Sequence, residues 1–415
     1  MRLELASYPV TDVRFGKKTA LEKECLVINR EELTRLINSD DFFAEIHLDI
    51  AKPGEKTRII HIMDAMQPRC KLTGGTSPYP GIMETMHVAG MGRTHVLDGL
   101  SVMQTGMRPG IQEGIVDMSG PGAGYSLFSG LCNLVLHCVP PPDVDNALFD
   151  AAARMALVKT ACYLGAVTRD LAPAKVHGYE LNPDVDPALP GVVYICHLQA
   201  QGPLRDTFLY GESVRELVPT LLHPNELLDG AVVSGNYVIA CQKNPSYLHA
   251  NNPVVKECYA RHGKSLRFAG VVIANEFSTL KGKTRSAEFA VKLAKQAGAQ
   301  GIILSQEGGG HADTDLMLCA QAAARQGIQC VMLVNELAGP CGDQPPLVDT
   351  TPQAEHVIST GNNDQLLELP SMDRLLGGKS LCDVSDPAGS FITSLGRMYT
   401  ATNQFGAYDL TARGQ

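Results

Sequence analysis

FAGVVIAN (268–275), RSAEFAVKLAKQAGA (285–299), GIILSQ (301–306), DTDLMLCAQAAARQG (313–327), CVMLVNE (330–336) and HVISTG (356–361) follow one another along the second half of the chain. The first, third, fifth and sixth are short apolar runs of strand length. The second carries Phe289, Leu293 and Ala297 on one helical stripe, and the fourth ends at Gly327, a residue suited to a helix C-terminus. Strands alternating with helices at this spacing predict a parallel sheet covered by helices, a Rossmann-like C-terminal arrangement.

Upstream, the pattern is β-rich. CLVINR (25–30), EIHLDIA (45–51) and TRIIHIM (57–63) read as strands, with REELTRLI (30–37) as a short amphipathic helix. Between Gly74 and Gly124 the chain is dense in Gly and Pro, which predicts tight loops on a β scaffold. PPPD (140–143) suggests a hinge before a helix over 149–165. VVYICHLQAQ (192–201) and AVVSGNYVIAC (231–241) read as further strands. The fold class expected is α/β: a β-rich N-terminal domain over 1–240 and an α/β domain over 241–415.

A chain of 415 residues is long enough for two or three cores. A net charge of -9 with scattered Lys and Arg argues against nucleic acid as a partner. Neither a signal pattern nor an apolar run of membrane-spanning length is present, so a cytoplasmic protein with no membrane association is expected. The 12 cysteines include no CxxC and no zinc spacing; no metal is expected, and most cysteines read as small core residues. There is no G-x-S-x-G elbow and no HExxH, which removes the common hydrolase and metalloprotease readings.

Three loops offer polar groups. SQEGGGHADTD (305–315) follows a strand and precedes a helix, where backbone N–H groups can hold an anion. It is neither GxGxxG nor a P-loop. Glu307, His311 and Asp315 would face a cleft at the carboxyl ends of the strands, or the loop is a tight turn with Asp313 capping the helix. In DMSGPGAGYS (117–126) the glycines permit close backbone approach or a compact turn. Arg93 and His95 in GMGRTH could bind a carboxylate, though an Arg-x-His pair more often serves structure.

SGNYVIACQKNPSYLHANNPVV (234–255) is longer and more idiosyncratic: GN, then KNP, Tyr247, His249 and NNP. With MRLEL (1–5), FGKKTALEK (15–23), GRTH (92–95), QEGIVDMSGPGA (112–123), SQEG (305–308), DTDL (313–316) and LTAR (410–413), it resembles the proprotein-type subunit of component B of glycine, sarcosine and betaine reductases. The resemblance runs along essentially the whole chain. It implies a role in activating a two-carbon amino acid derivative, beside a selenocysteine-containing component B subunit. It further implies a component A selenoprotein that takes up the carboxymethyl group, a component C that releases acetyl phosphate, and thioredoxin as electron source. Residues 1–240 would match the family's beta chain and 241–415 its alpha chain.

The glycine and sarcosine versions cleave themselves at an Asn-Cys bond, and the new N-terminal cysteine becomes a pyruvoyl group that condenses with the substrate amine. Here Tyr237 follows Asn236. An acyl shift needs a nucleophile on the β-carbon, so that attack on the preceding carbonyl closes a five-membered ring. Tyrosine has none within reach. On this alignment no pyruvoyl cofactor is expected on the chain, and the departure points to the betaine branch. Betaine is a quaternary ammonium with no N–H to condense, and trimethylamine leaves without such activation.

The expected function is that of an uncleaved betaine reductase component B subunit, presenting betaine to a selenoprotein and yielding trimethylamine. Asn236, Tyr237, Tyr247, His249, Glu307, His311 and Arg93 are the substrate-binding candidates, with Tyr237 and Tyr247 suited to a cation–π cage. Two alternatives remain open. One is a pyruvoyl-bearing glycine or sarcosine reductase subunit processed at Cys241, four residues on; against it, four residues of strand move the scissile bond by about 13 Å. The other is a non-catalytic scaffold for the selenoprotein subunit.

Overall fold

The computed structural model describes residues 1–106, 113–200, 207–235, 240–406 and 411–413. The N-terminal region builds two four-stranded sheets. One runs in the order Lys175–Glu180, Arg2–Pro9, Gly92–Asp98 and Arg69–Lys71; the other runs Glu45–Ala51, Cys132–Val139, Leu100–Thr105 and Ile62–Met66. The helix Asn146–Gly165 packs on them. It starts a little earlier than its apolar pattern predicts, because Asp145 accepts the N–H groups of Ala147 and Leu148 and fixes the first turn. It ends on Gly165, where a Cβ would lie 2.1 Å from the Arg69 carbonyl oxygen, so only glycine lets helix and strand approach this closely.

The expected strand over 57–63 divides into Thr57–Ile59 and Ile62–Met66. His61, at φ 54°, turns the chain between them, and the two halves join different sheets.

The large sheet has seven strands in the order Thr220–Leu222, Arg267–Asn275, Gly191–Leu198, Gly301–Ser305, Gln329–Glu336, Val357–Asn362 and Thr411–Arg413. The inner five are mutually parallel, as the alternation predicts, and both edge strands are antiparallel. Two of the seven come from before residue 240.

Both long helices, Leu280–Gln296 and Asp313–Arg325, lie on one face. Ala287, Ala290, Val291, Leu316 and Ala320 pack there on Val193, Ile195, Val272 and Ile302. The opposite face carries Tyr194, Cys196, Val271 and Ile273. These pack with Val255 and Cys258 of the helix Pro253–Arg261 and with Leu3, Leu5, Val96 and Met103 of the N-terminal sheets in one continuous core. The N-terminal region thus helps cover the face where a doubly wound sheet would place a second layer of helices. Among the described residues no helix is long and apolar enough to cross a membrane.

Of the strand expected over 231–241, the described residues form Val232–Val233, while Ala240–Gln242 is a 3-10 turn; residues 236–239 lie outside the described residues. The Ser234 N–H goes to the Ser246 hydroxyl at 2.8 Å instead of to a neighbouring strand. The carbonyls of Ala240 and Cys241 accept the N–H groups of Thr400 and Thr402, both at 2.9 Å. Those tertiary bonds replace a sheet ladder.

Candidate functional site

The carboxyl ends of the parallel strands gather a buried polar cluster, the position where open α/β sheets bind ligands. Gln199 follows one strand, Glu276 the next in space, and Gln306 and Glu307 a third, while Asn335 stands near the end of a fourth. The segment 240–252 is laid against this edge, and its side chains from Cys241 to Ala250 are buried.

Glu307 is the hub. Its carboxylate accepts from the Gln199 N–H at 2.8 Å and the Thr207 hydroxyl at 3.2 Å, and lies 3.2 Å from His249 Nε2. Its own N–H donates to Glu276 Oε1 at 3.0 Å. Glu276 is fully buried. Desolvation and the nearby Asp315 and Glu307 carboxyls raise its pKa well above the usual range, against the pull of Lys283. Lys283 is ion-paired with Asp315.

Several buried atoms here have no hydrogen-bond partner among the described residues: Glu276 Oε2, His249 Nδ1, Gln306 Oε1, Asn244 Oδ1, Gln242 Nε2 and both amide atoms of Asn335. Buried polar groups are ordinarily satisfied, so their concentration at one edge marks a place built for something other than stability. Among the described residues no group of three His, Cys, Asp or Glu side chains could hold a metal ion.

Cys241 lies at the rim of this cluster, fully buried with Ile60, Ile115, Leu395 and Met398. Its Sγ is 3.2 Å from Asn363 Oδ1, and burial pushes the thiol up to about 12. The preceding carbonyl, that of Ala240, accepts two N–H groups, from Thr400 at 2.9 Å and Lys243 at 3.2 Å.

The other expected residues divide. Asn236 and Tyr237 lie outside the described residues. His249 and Glu307 are brought together. Tyr247 is close by in sequence but packs edge-on against Phe128 at 5.5 Å, inside the main core. His311 is exposed on the outer side of the glycine loop. Arg93 is on the N-terminal sheet, half-exposed and ion-paired with Glu4 at 2.6 Å. His95 meets Thr168 and Tyr8. Asp313 does not cap its helix, whose N-cap is Ala312; its carboxylate holds Gln306 Nε2 at 2.8 Å and the Val348 N–H at 3.0 Å. The loop at 117–126 serves packing: Gly122 makes room for Asp117, which forms a buried bidentate pair with Arg58.

Sequence reasoning passed over Glu276, Lys283, Asp64 and Lys243. Lys243 stands in the KNP of the distinctive segment, and that was its only signal. Glu276 and Asp64 follow or occupy ordinary strands and become notable only through burial.

A family model described as glycine/sarcosine/betaine reductase component B subunits matches residues 1–412. The chain is 39% identical over 400 residues to the glycine reductase complex component B subunits alpha and beta of Acetoanaerobium sticklandii, covering 95% of this chain and 93% of the relative. It is 37% identical over 428 residues to the sarcosine reductase complex component B subunit alpha of Peptoclostridium acidaminophilum, covering the whole of both. The betaine reductase complex component B subunit alpha of the same organism is 38% identical over 391 residues, covering 91% of this chain and 88% of the relative. No solved structure matches.

Proposed function

The chain belongs to the glycine/sarcosine/betaine reductase component B subunits, and from that premise we propose that it handles a small amine-bearing carboxylate inside a reductase complex, presenting it for reductive C–N cleavage. The geometry best supports the version in which Cys241 supplies the electrophile and the chain divides between Ala240 and Cys241. The observation that carries it is the doubly bonded Ala240 carbonyl beside the Cys241 thiol. The bond from Lys243 is the ordinary bond of a 3-10 turn. The bond from Thr400 is tertiary, offered from backbone at φ 70°, a conformation a threonine adopts only when its surroundings impose it.

Two N–H donors on one carbonyl stabilise the oxyanion formed when a thiol on the next residue attacks it. The residues present fit such a group: a β-thiol at 241, and Asn363 Oδ1 to orient its proton. A thiol pushed up to about 12 stays protonated at neutral pH, so the turn remains intact until a base acts. A pyruvoyl group there would supply an electrophilic carbonyl to a primary or secondary amine such as glycine or sarcosine. Glu307, His249 and Glu276 would orient the substrate at the strand ends.

On this reading residues 1–240 and 241–415 act as two subunits, in line with the two that the Acetoanaerobium sticklandii relative's name gives. The partners it carries are a selenocysteine-containing component B subunit, a component A selenoprotein, component C and thioredoxin, in the cytoplasm.

A second reading is favoured by Tyr237 after Asn236. An uncleaved chain would then serve betaine, whose quaternary nitrogen needs no carbonyl, and release trimethylamine. Intact mass separates the two. Two fragments dividing at 240/241, the larger-numbered one reactive with hydrazine, are expected. A single chain of 44.5 kDa would instead support the betaine version.

A further inference from the structure

Gln242 and Asn335 meet over Gly309. A Cβ at Gly309 would lie 2.8 Å from Gln242 Nε2 and 2.9 Å from Asn335 Oδ1, so the bare backbone of the loop lies under both amides. Each side chain is only 2% exposed. Gln242 Nε2, Asn335 Nδ2 and Asn335 Oδ1 have no hydrogen-bond partner among the described residues. Neither end of the Asn335 amide is tied, so it can present Nδ2 to an acceptor by rotating about its own Cβ–Cγ bond.

The chain departs from regular structure to place this pair. Gln242 closes the 3-10 turn Ala240–Gln242, one residue after Cys241. Asn335 stands at a slip in the sheet ladder. Val334 pairs with Ser359 and Glu336 with Asn362, so Asn335 alone faces Thr360 and Gly361. Gly361 takes up the irregularity at φ 123°, where a side chain would be strained. Bulges of this kind re-aim a side chain and gather beside active sites. A buried amide without a partner costs stability, and here two of them, on separate elements, turn to one spot.

Charge at the strand ends is uneven. Glu276 and Glu307 stand after two of the strands, with Asp315 acting on Glu276. Gln242 and Asn335 bring no charge. An anion is repelled at the first group and accepted at the second, where NH2 groups are unpaired donors.

We propose that Gln242 Nε2 and Asn335 Nδ2 hold the carboxylate of the substrate, next to residue 241. The inference rests on the reading of a small amine-bearing carboxylate, and not on whether the chain divides at Cys241. In a two-carbon amino acid the carboxylate carbon is two bonds from the nitrogen. An amine at residue 241 therefore leaves the carboxylate close to the amide of residue 242. Bonds from an amide N–H to a carboxylate are charge-assisted, so they favour the acid over its uncharged counterparts.

Calorimetry on the full chain tests this, with glycine, sarcosine and betaine as probes and the primary amide of each as its uncharged counterpart. Wild type should bind at least one acid, and the matching amide about tenfold more weakly or worse. Gln242→Met and Asn335→Leu keep volume and remove the donors. They should weaken the acid by about tenfold or more and its amide by less than about threefold. Gln242→Glu and Asn335→Asp should weaken the acid further by repulsion. Thermal unfolding reports whether each variant is folded, and the comparison of acid with amide on wild type needs no variant. Acid and amide bound equally by wild type overturn the assignment, as does wild-type affinity for the acid in the folded Gln242 and Asn335 variants. An undivided chain whose betaine binding follows these variants supports the assignment and overturns the Cys241 reading. A wild-type chain that binds none of the three acids overturns both the assignment and the reading of the ligand.

Discussion

Lys71 and Lys243 are both buried, and they are held in opposite ways. Lys71 places its ammonium on three acceptors: the Met91 carbonyl at 2.7 Å, the Thr94 hydroxyl at 3.1 Å and the Asp229 carboxylate. Asp229 in turn accepts the Gly90 N–H and the Thr94 hydroxyl. That uses all three donors of a charged lysine and closes the network around its counterion. Lys243 donates to the Ser234 hydroxyl, and the Ser234 N–H leads on through the Ser246 hydroxyl to the Asp64 carboxylate. The first arrangement surrounds the lysine with acceptors; in the second, burial lowers the amine's pKa against the pull of Asp64 and Glu307. Around Lys71 the polar atoms are matched, whereas the strand ends near Lys243 collect unmatched ones.

The contrast can be broken most strongly at Lys71. Lys71→Met leaves Asp229 charged and buried without its cation, and should lower stability by about 3–5 kcal/mol in urea unfolding. Lys243→Met, by the same measurement, should change stability by about 1 kcal/mol or less, since its amine is already driven toward neutrality. Equal losses would remove the distinction.

Glu276 gives the next effect. Its folded pKa is raised above the ordinary 4.5, so the folded state holds a proton that the unfolded state releases. The stability this contributes is complete below about pH 4.5 and is lost as pH rises toward the folded value. One such proton gives a slope of about 1.4 kcal/mol per pH unit across that window. Glu276→Gln should flatten the slope between pH 5 and 7, with little change at pH 5. An unchanged slope would assign the proton to another group.

The smallest effect is expected at Gly309. A Cβ there would meet Gln242 Nε2 at 2.8 Å and Asn335 Oδ1 at 2.9 Å, both the far ends of side chains. Gly309→Ala should cost about 1 kcal/mol in thermal unfolding, by displacing the two amides. Because they belong to the strand-end cluster, it should also slow division of the chain. A loss confined to stability would place Gln242 and Asn335 among the structural groups.

The C-terminal half was legible because its information is local. Apolar runs between Phe268 and Gly361 alternate with helical stripes, and the parallel order of the inner strands follows from that spacing. The described ends of the segment 231–241 misled for the same reason. Its valines and isoleucine have strand propensity, but Ser246, Thr400 and Thr402 take its backbone groups. The glycine loop stands at the strand ends with Glu307 buried there, while His311 is exposed. Arg93 belonged to a surface ion pair.

The sequence by itself determined the family, the alternation that makes the large sheet, and the positions of Cys241 and Lys243 within one distinctive segment. These depend on residue type and short spacing. Only the tertiary structure decided that Thr400 would hold the Ala240 carbonyl and that Asp64 would reach Lys243 through two serines. It also decided that Glu276 would be buried beside two other carboxyl groups. Those properties depend on burial and on contacts between residues far apart in the chain, and desolvation, which sets their protonation, exists only once the chain has folded.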